Sequence, residues 1–280
     1  MSEYIYFVTG LPDITLDETR TFPLSLDYFD EVAGRLEAAD RELMAIVRHP
    51  FDNTNLIRAM EGKSDSFDPR GAFPSDEIAN LLRGTESGPD YMDTFLKAKK
   101  EGRALFQGLG DEDSLAWLFL EEMEAHPNAF LREWFAFDAD VRNLLAGLSA
   151  RSLGTDPGRV SIGSGGVAEA VAKSSAADFG LAWSHPWAEK ILAAKGLLAR
   201  DKAADQVRWD KLDEMRTFAH FDVAALLAYA QQLFIAERWL KMDPAEGRAM
   251  LESLSKGLID GAKALMLRDV DSSKQGNESN

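Results

Sequence analysis

Apolar positions are densest between Phe221 and Met242, in the stretch FDVAALLAYAQQLFIAERWLKM. From Val223 to Ala230 no residue is charged, and Tyr229 brings the only polar group. A helix apolar on every face belongs inside a protein. Further along, Leu226, Tyr229, Leu233 and Leu240 recur at helical spacing, beside Leu227, Ala230 and Phe234. Gln231, Gln232, Glu237, Arg238 and Lys241 are expected on the opposite side. The stretch would span roughly 30 Å. Its fully apolar part falls well short of the about 20 residues a transmembrane helix needs. It reads as the central core helix.

The remaining pattern is helical almost throughout. Tyr4 to Val8 is aromatic and β-branched and is expected to form a short extended segment, with Pro12 and Pro23 bracketing an irregular link. A helix is expected from about Ser25 to Arg48, ended by Pro50, and a short one from Asn53 to Glu61. Ser75 is the expected N-cap of another, and Pro89 the opening of the next. Leu115, Leu118, Phe119 and Met123 mark a further amphipathic helix, stopped before Pro127. Phe130 to Leu153 forms the second strong helical region, closed by Gly154. A Gly-rich connection, 155–166, precedes helices at about 167–178, 187–199 and 204–219. Asp243-Pro244-Ala245-Glu246 has the form of a capping box opening a last helix, and the polar tail 269–280 is expected to be disordered.

The fold expected is all-α, with about ten helices. The dipeptide Phe-Asp at Phe51-Asp52, Phe137-Asp138 and Phe221-Asp222 recurs at steps of 86 and 84 residues beside apolar helical runs. That suggests two to three pseudo-repeated helical bundles. The expected division is an N-terminal unit over 1–88, a middle unit over 89–160 and a C-terminal unit over 161–268.

Composition narrows the function classes. The 280 residues carry 31 basic and 47 acidic side chains, a formal charge of −16. Such a chain repels phosphate backbones, so no nucleic-acid partner is expected; cationic protein surfaces suit it better. With no cysteine, disulfides, thiolate metal sites and cysteine nucleophiles are excluded. The start, MSEYIYFVTGLPD, lacks the form of a signal peptide, and a cytoplasmic location is expected.

Candidate chemistry is sparse. Phosphate-loop, HExxH and GxSxG patterns are all absent. The histidines are His49, His126, His185 and His220; the first three each precede a proline, and helix-end structural roles are expected. Glu122 and His126 could share a helix face, but the di-iron pattern needs a three-residue spacing in two copies. Glu121, Glu122 and Glu124 read as a solvated acidic face. Gly163-Ser164-Gly165-Gly166-Val167-Ala168 fits G-x-G-x-x-A, yet lacks the flanking strands of a dinucleotide site. Asp210, Asp213 and Glu214, beside Trp209 and Arg216, read as a polar helix face. No catalytic, cofactor-binding or metal-ligating residue is expected, and no direct nucleotide binding.

Three segments carry a family resemblance: PFDNTNLIRAMEGK at 50–63, FLREWFAFDADVRNLLAGLSARSLG at 130–154, and VRWDKLDEMRTFAHFDVAALLAYAQQLFIAERWLKM at 207–242. With the N-terminal YIYFVTGLPD, they resemble a bacterial family associated with V-type ATPase operons. That family is similar in turn to the C-type stalk component of the V/A-type rotary ATPases, the counterpart of the eukaryotic d-type component. The C-type component has three pseudo-repeated helical bundles with Asp-x-x-Asn-Leu-like helix starts. Asp52 to Leu56 matches that start directly, and Asp138 to Leu144 matches with a longer gap. In the third unit Phe221, Tyr229, Glu237 and Arg238 match its ending. Pro12 and Pro23 depart from the C-type pattern, which begins directly in a helix. The resemblance implies a non-catalytic central-stalk component in proton or sodium transport. Its partners would be the other central-stalk proteins of the V-type ATPase and the membrane rotor ring. It would lie in the cytoplasm, peripheral to the inner face of the cell membrane and touching it only through the complex. An assembly or regulatory factor of the same ATPase is the alternative, and an unrelated helical enzyme using Glu122 and His126 a third.

Overall fold

A computed structural model describes residues 34–217 and 222–241, with Ala219 and the isolated positions Val8, Leu11, Ile14, Leu16 and Glu31. Among these residues the chain is all-α, with eleven helices and no strand. In order they are α1 (Ala38–Ile46), α2 (His49–Met60), α3 (Ser75–Arg83), α4 (Asp90–Lys100), α5 (Asp111–Ala125), α6 (Ala129–Ser152), α7 (Gly166–Lys173), α8 (Leu181–Ser184), α9 (Pro186–Ala193), α10 (Leu197–Thr217) and α11 (Val223–Lys241). The expected final helix and the tail lie outside the described residues. So does most of the expected extended segment at Tyr4–Val8, of which Val8 is helical.

Several boundaries differ from the periodicity, each for a local reason. The helix expected over 25–48 is interrupted: Gly34 and Arg35 form a turn, Glu37 is extended at φ −60° and ψ 156°, and α1 starts only at Ala38. Pro50 does not end a helix. It sits in the first turn of α2, where a missing N–H costs nothing, so that helix starts at His49 rather than Asn53. Ser75 is the first residue of α3 and Pro74 is its N-cap. Likewise Pro89 is the N-cap of α4 rather than its first residue. The helix expected over 187–199 stops at Ala193, and Gly196 at φ 90° turns the chain into α10.

By contacts the chain divides into a larger body, Met1–Ile14 with Phe22–Gln232, and a smaller one, Thr15–Thr21 with Leu233–Asn280. In the larger body α2 packs on α3 and α5, α5 on α4 and α6, and α6 on α7 and α10. Helix α6, with Asn128 capping it through the Leu131 N–H at 3.2 Å, spans about 36 Å and contributes to two apolar clusters. Near its start, Phe135 meets Phe119 edge-on at 4.7 Å, and Phe119 meets Tyr91 at 5.3 Å. Near its end, Val141 and Leu144 join Val167, Val171, Phe179, Leu181, Ile191 and Val207. Gly147 permits that second contact, since a Cβ there would lie 2.5 Å from Val171 Cγ1.

Helix α11 is buried nearly all round, as the sequence pattern implies. Residues 225–230 and 232–236 are all buried. Gln232 corrects the expected polar side: it is wholly buried. It donates to Asp213 at 2.7 Å and accepts from Arg216 at 2.7 Å. Its neighbour Gln231 donates to the Val47 carbonyl at 3.0 Å, tying α11 to the end of α1.

Candidate functional site

The polar groups with the most specific geometry are two pairs, each an Asp and an Asn one helical turn apart. On α2, Asp52 and Asn55 share a face because residues three apart are neighbours on a helix. Asn55 makes a two-way clip: its Nδ2 donates to the Asp68 carbonyl at 2.9 Å and its Oδ1 accepts the Asp68 N–H at 2.7 Å. Asp52 accepts the N–H groups of Ala72 and Phe73 at 3.0 and 3.1 Å. The chain passes so close that a Cβ on Gly71 would lie 2.2 Å from Asp52 Oδ1, so only glycine fits there. Between them in sequence, Asn53 accepts the Tyr91 hydroxyl at 2.8 Å and holds α4.

The arrangement recurs on α6. Asn143 donates to the Ile162 carbonyl at 2.8 Å and accepts the Ile162 N–H at 2.9 Å. Asp140, three residues earlier, faces Gly165, whose Cβ would sit 3.5 Å from Asp140 Oδ1. Both registers match: Asn55 holds residue 68 while Asp52 faces residue 71, and Asn143 holds residue 162 while Asp140 faces residue 165. Leu56 and Leu144, next to the two asparagines, are both fully buried. Within this chain the arrangement at Asp52–Leu56 is therefore repeated by Asp140-x-x-Asn143-Leu144, which starts two residues after Asp138. Asp138 serves elsewhere, accepting from Arg208 at 2.6 Å across α6 and α10. The third Phe-Asp site has no clip, because Ala225 stands where the asparagine would be.

The two sites differ at the aspartate. Asp140 has no hydrogen-bond partner among the described residues, and it lines a cleft of about 110 Å³ with Trp117, Glu121, Glu124, Asn143 and the 163–165 loop. Burial pushes the Asp140 carboxyl up to about 6. Arg132 also lines this cleft, but its guanidinium is committed to the carbonyls of His126 and Pro127 at 2.6 and 2.7 Å. The Gly163–Ala168 motif does enter a helix start, with Gly165 as the N-cap of α7. Glu121, Glu124 and Asp140 line the same cleft as this loop, and carboxylates there are unfavourable for a phosphate.

The remaining candidates resolve into local structure. Glu122 accepts the Tyr91 N–H at 3.1 Å at the start of α4, and burial raises its carboxyl pKa. His126 Nδ1 accepts the Asn128 N–H at 3.1 Å. That pair is thus spent on two separate backbone amides. No group of three metal-capable side chains occurs among the described residues. Asp210 accepts from Lys190 and Gln206, and Glu214 pairs with Lys211. His185 Nδ1 lies 2.9 Å from Ser184 Oγ, and His220 falls outside the described residues.

His49 stands at a helix end, but at a helix start packed in the core rather than beside a helix C-terminus. It is the first residue of α2, buried and stacked on Phe73 at 5.7 Å, and desolvation lowers its pKa to about 4. It is neutral at pH 7. Periodicity misses the part-buried charge cluster of Arg208 with Asp138 and Asp205, at 2.6 and 3.3 Å. Burial lowers the Arg208 pKa, but the two carboxylates more than offset this and raise it.

Comparison with known proteins gives matches along nearly the whole chain. An uncharacterized protein of Chlamydia muridarum (strain MoPn / Nigg) is 21% identical over 269 residues, covering 92% of this chain and 99% of its own length. No solved structure gives a significant match. A family model described as "Protein of unknown function (DUF2764)" matches residues 1–261, and the chain belongs to that family.

Proposed function

We propose that this protein is a non-catalytic central-stalk component of a V-type rotary ATPase, in the manner of the C-type component. The observation that carries the reading is the twice-used Asp-x-x-Asn-Leu clip, at Asp52–Leu56 and Asp140–Leu144. Two of the three segments that carry the resemblance contain that motif, and both copies bind the following loop in one register. A rotor coupler must carry torque without yielding, and densely packed helices with pinned connections have that stiffness. The acidic charge suits basic surfaces on a stalk or on ring loops. In this reading the protein sits in the cytoplasm, held at the membrane by its partners, and contributes no catalytic group.

The test is a deletion in the native cell, assayed on inverted membrane vesicles. Loss of ATP-driven ion pumping, restored by the full chain, is the expected outcome. Normal pumping in the deletion strain overturns the coupler reading. Loss of pumping restored by transient expression, with the chain absent from the purified enzyme, assigns an assembly role instead.

A further inference from the structure

The two matched aspartates are used differently. Asp52 gives one oxygen to the Ala72 N–H and the other to the Phe73 N–H. By the shared register the counterparts of Ala72 and Phe73 are Gly166 and Val167, which open α7. Neither donates to Asp140, nor does any other described residue. Burial is the one cause that shifts the Asp140 carboxyl, to about 6, so no cation of the chain offsets it. The first copy thus supplies two N–H donors to its aspartate from its own loop, and the second supplies none.

The cleft that Asp140 lines between α5 and α6 measures about 110 Å³. A cavity of about 150 Å³ holds a benzene ring, so this one suits a flat group of roughly four to six heavy atoms. Its charged lining is Glu121, Glu124 and Asp140 against Arg132, three acids to one cation, a net of −2. Arg132 is held by the carbonyls of His126 and Pro127 and makes no ion pair with these acids among the described residues. Trp117 also lines the cleft, its ring fixed by Phe106 stacked at 4.5 Å and by its indole N–H, given to Glu121 at 3.2 Å. Leu120 adds an apolar wall.

We propose that this cleft receives a guanidinium group on an unbranched apolar stem, with two of its N–H donors on the Asp140 carboxylate and its plane against Trp117. A guanidinium offers a carboxylate two parallel donors, the same pairing that Asp52 takes from the backbone. It is weakly hydrated and stacks on aromatic rings, which suits it to a cleft walled by an indole better than a strongly hydrated ammonium. An arginine of a partner protein and a free small molecule share this chemistry. The site stands independently of the rotary reading.

The experiment is a titration of the isotope-labelled full chain with N-acetylargininamide at constant ionic strength. It is followed by nuclear magnetic resonance at the Trp117 indole N–H, which Trp117→Phe identifies, and at the backbone amides of 163–166. A saturable shift is expected. N-acetylcitrullinamide, of the same shape without the charge, should bind on the order of tenfold more weakly. Asp140→Asn removes no hydrogen bond of the fold and should weaken binding on the order of tenfold, with unchanged far-ultraviolet circular dichroism. Glu124→Gln, at an exposed position, should weaken it by a smaller factor. Tighter binding of agmatine than of N-acetylargininamide assigns the site to a free diffusible cation, and the reverse assigns it to an arginine of a partner protein. Equal binding of the citrulline probe, binding unmoved by both substitutions, or no saturable shift at any of these resonances overturns the proposal.

Discussion

Asn143→Ala tests the energetic weight of the clips. The asparagine is 1% exposed and its partner Ile162 2%, so both bonds lie out of water in the native fold. The substitution leaves the Ile162 N–H and C=O unpaired in the interior, and each buried orphan costs about 1–3 kcal/mol. The sum is about 2–6 kcal/mol, against a total of about 5–15 kcal/mol for a typical domain. With a urea m-value of about 3 kcal/mol/M, the midpoint should fall by roughly 0.7–2 M. Equilibrium urea unfolding followed by circular dichroism measures it. Asn55→Ala removes the same two bonds, but its partner Asp68 is only part-buried and water can reach the backbone left behind. Its loss should be about 1–3 kcal/mol, the smaller of the two. Asn143→Asp keeps the acceptor and removes the donor, so its stability should recover as the pH falls and the carboxyl regains a proton. A midpoint shift below about 0.3 M for Asn143→Ala, or a larger loss for Asn55→Ala, refutes the reasoning.

Other perturbations have definite signs. Gly71→Ala places a methyl 2.2 Å from Asp52 Oδ1 and should cost about 1–3 kcal/mol in the same urea assay. Arg208→Met removes the cation that Asp205, whose side chain is 3% exposed, shares with Asp138, and should cost about 3–5 kcal/mol. Adding Asp205→Leu should restore part of that. For pH, the Asp52 carboxyl is raised to about 7, chiefly by burial, so the folded state holds that proton more tightly than the unfolded one. Its contribution is full below pH about 4 and lost as pH rises through 7. Asp52→Asn should remove that slope, seen in thermal melts from about pH 4 to 8. His49, lowered to about 4 by burial, acts oppositely: its contribution is full above pH 6.5 and lost as pH falls through 4. His49→Phe should flatten the acid side of the same profile.

Residues differ in how plainly the sequence announces them. The core of α11 is legible because an eight-residue run, apolar but for one tyrosine hydroxyl, admits few alternatives to burial. Gln232 is not, since periodicity classes glutamine as polar and cannot see Asp213 and Arg216 waiting for it on α10. Helix α2 shows how proline misleads: Pro50 stops a helix if it falls inside one and starts a helix if it falls in the first turn. The Asp52–Asn55 pair can be found from the motif, whereas in the second copy the preceding phenylalanine points to Asp138. Only the three-residue register to Ile162 and Gly165 identifies Asp140. That register is a long-range property, joining Asn143 to a residue 19 positions on. The Gly163–Ala168 motif leads into a helix as its spacing implies, but the carboxylates facing it come from α5 and α6 and have no local signature. The Arg208 cluster is invisible for the same reason, as its partner Asp138 lies 70 residues away.

The most direct test of the rotary reading is a copy count. The chain is tagged in its own cell, membranes are solubilised gently, and the isolated complex is weighed by native mass spectrometry. Catalytic and rotor components of a V-type ATPase with one copy of this chain per complex is the predicted result. Intact ATPase lacking the chain, or the chain recovered without any ATPase component, contradicts it.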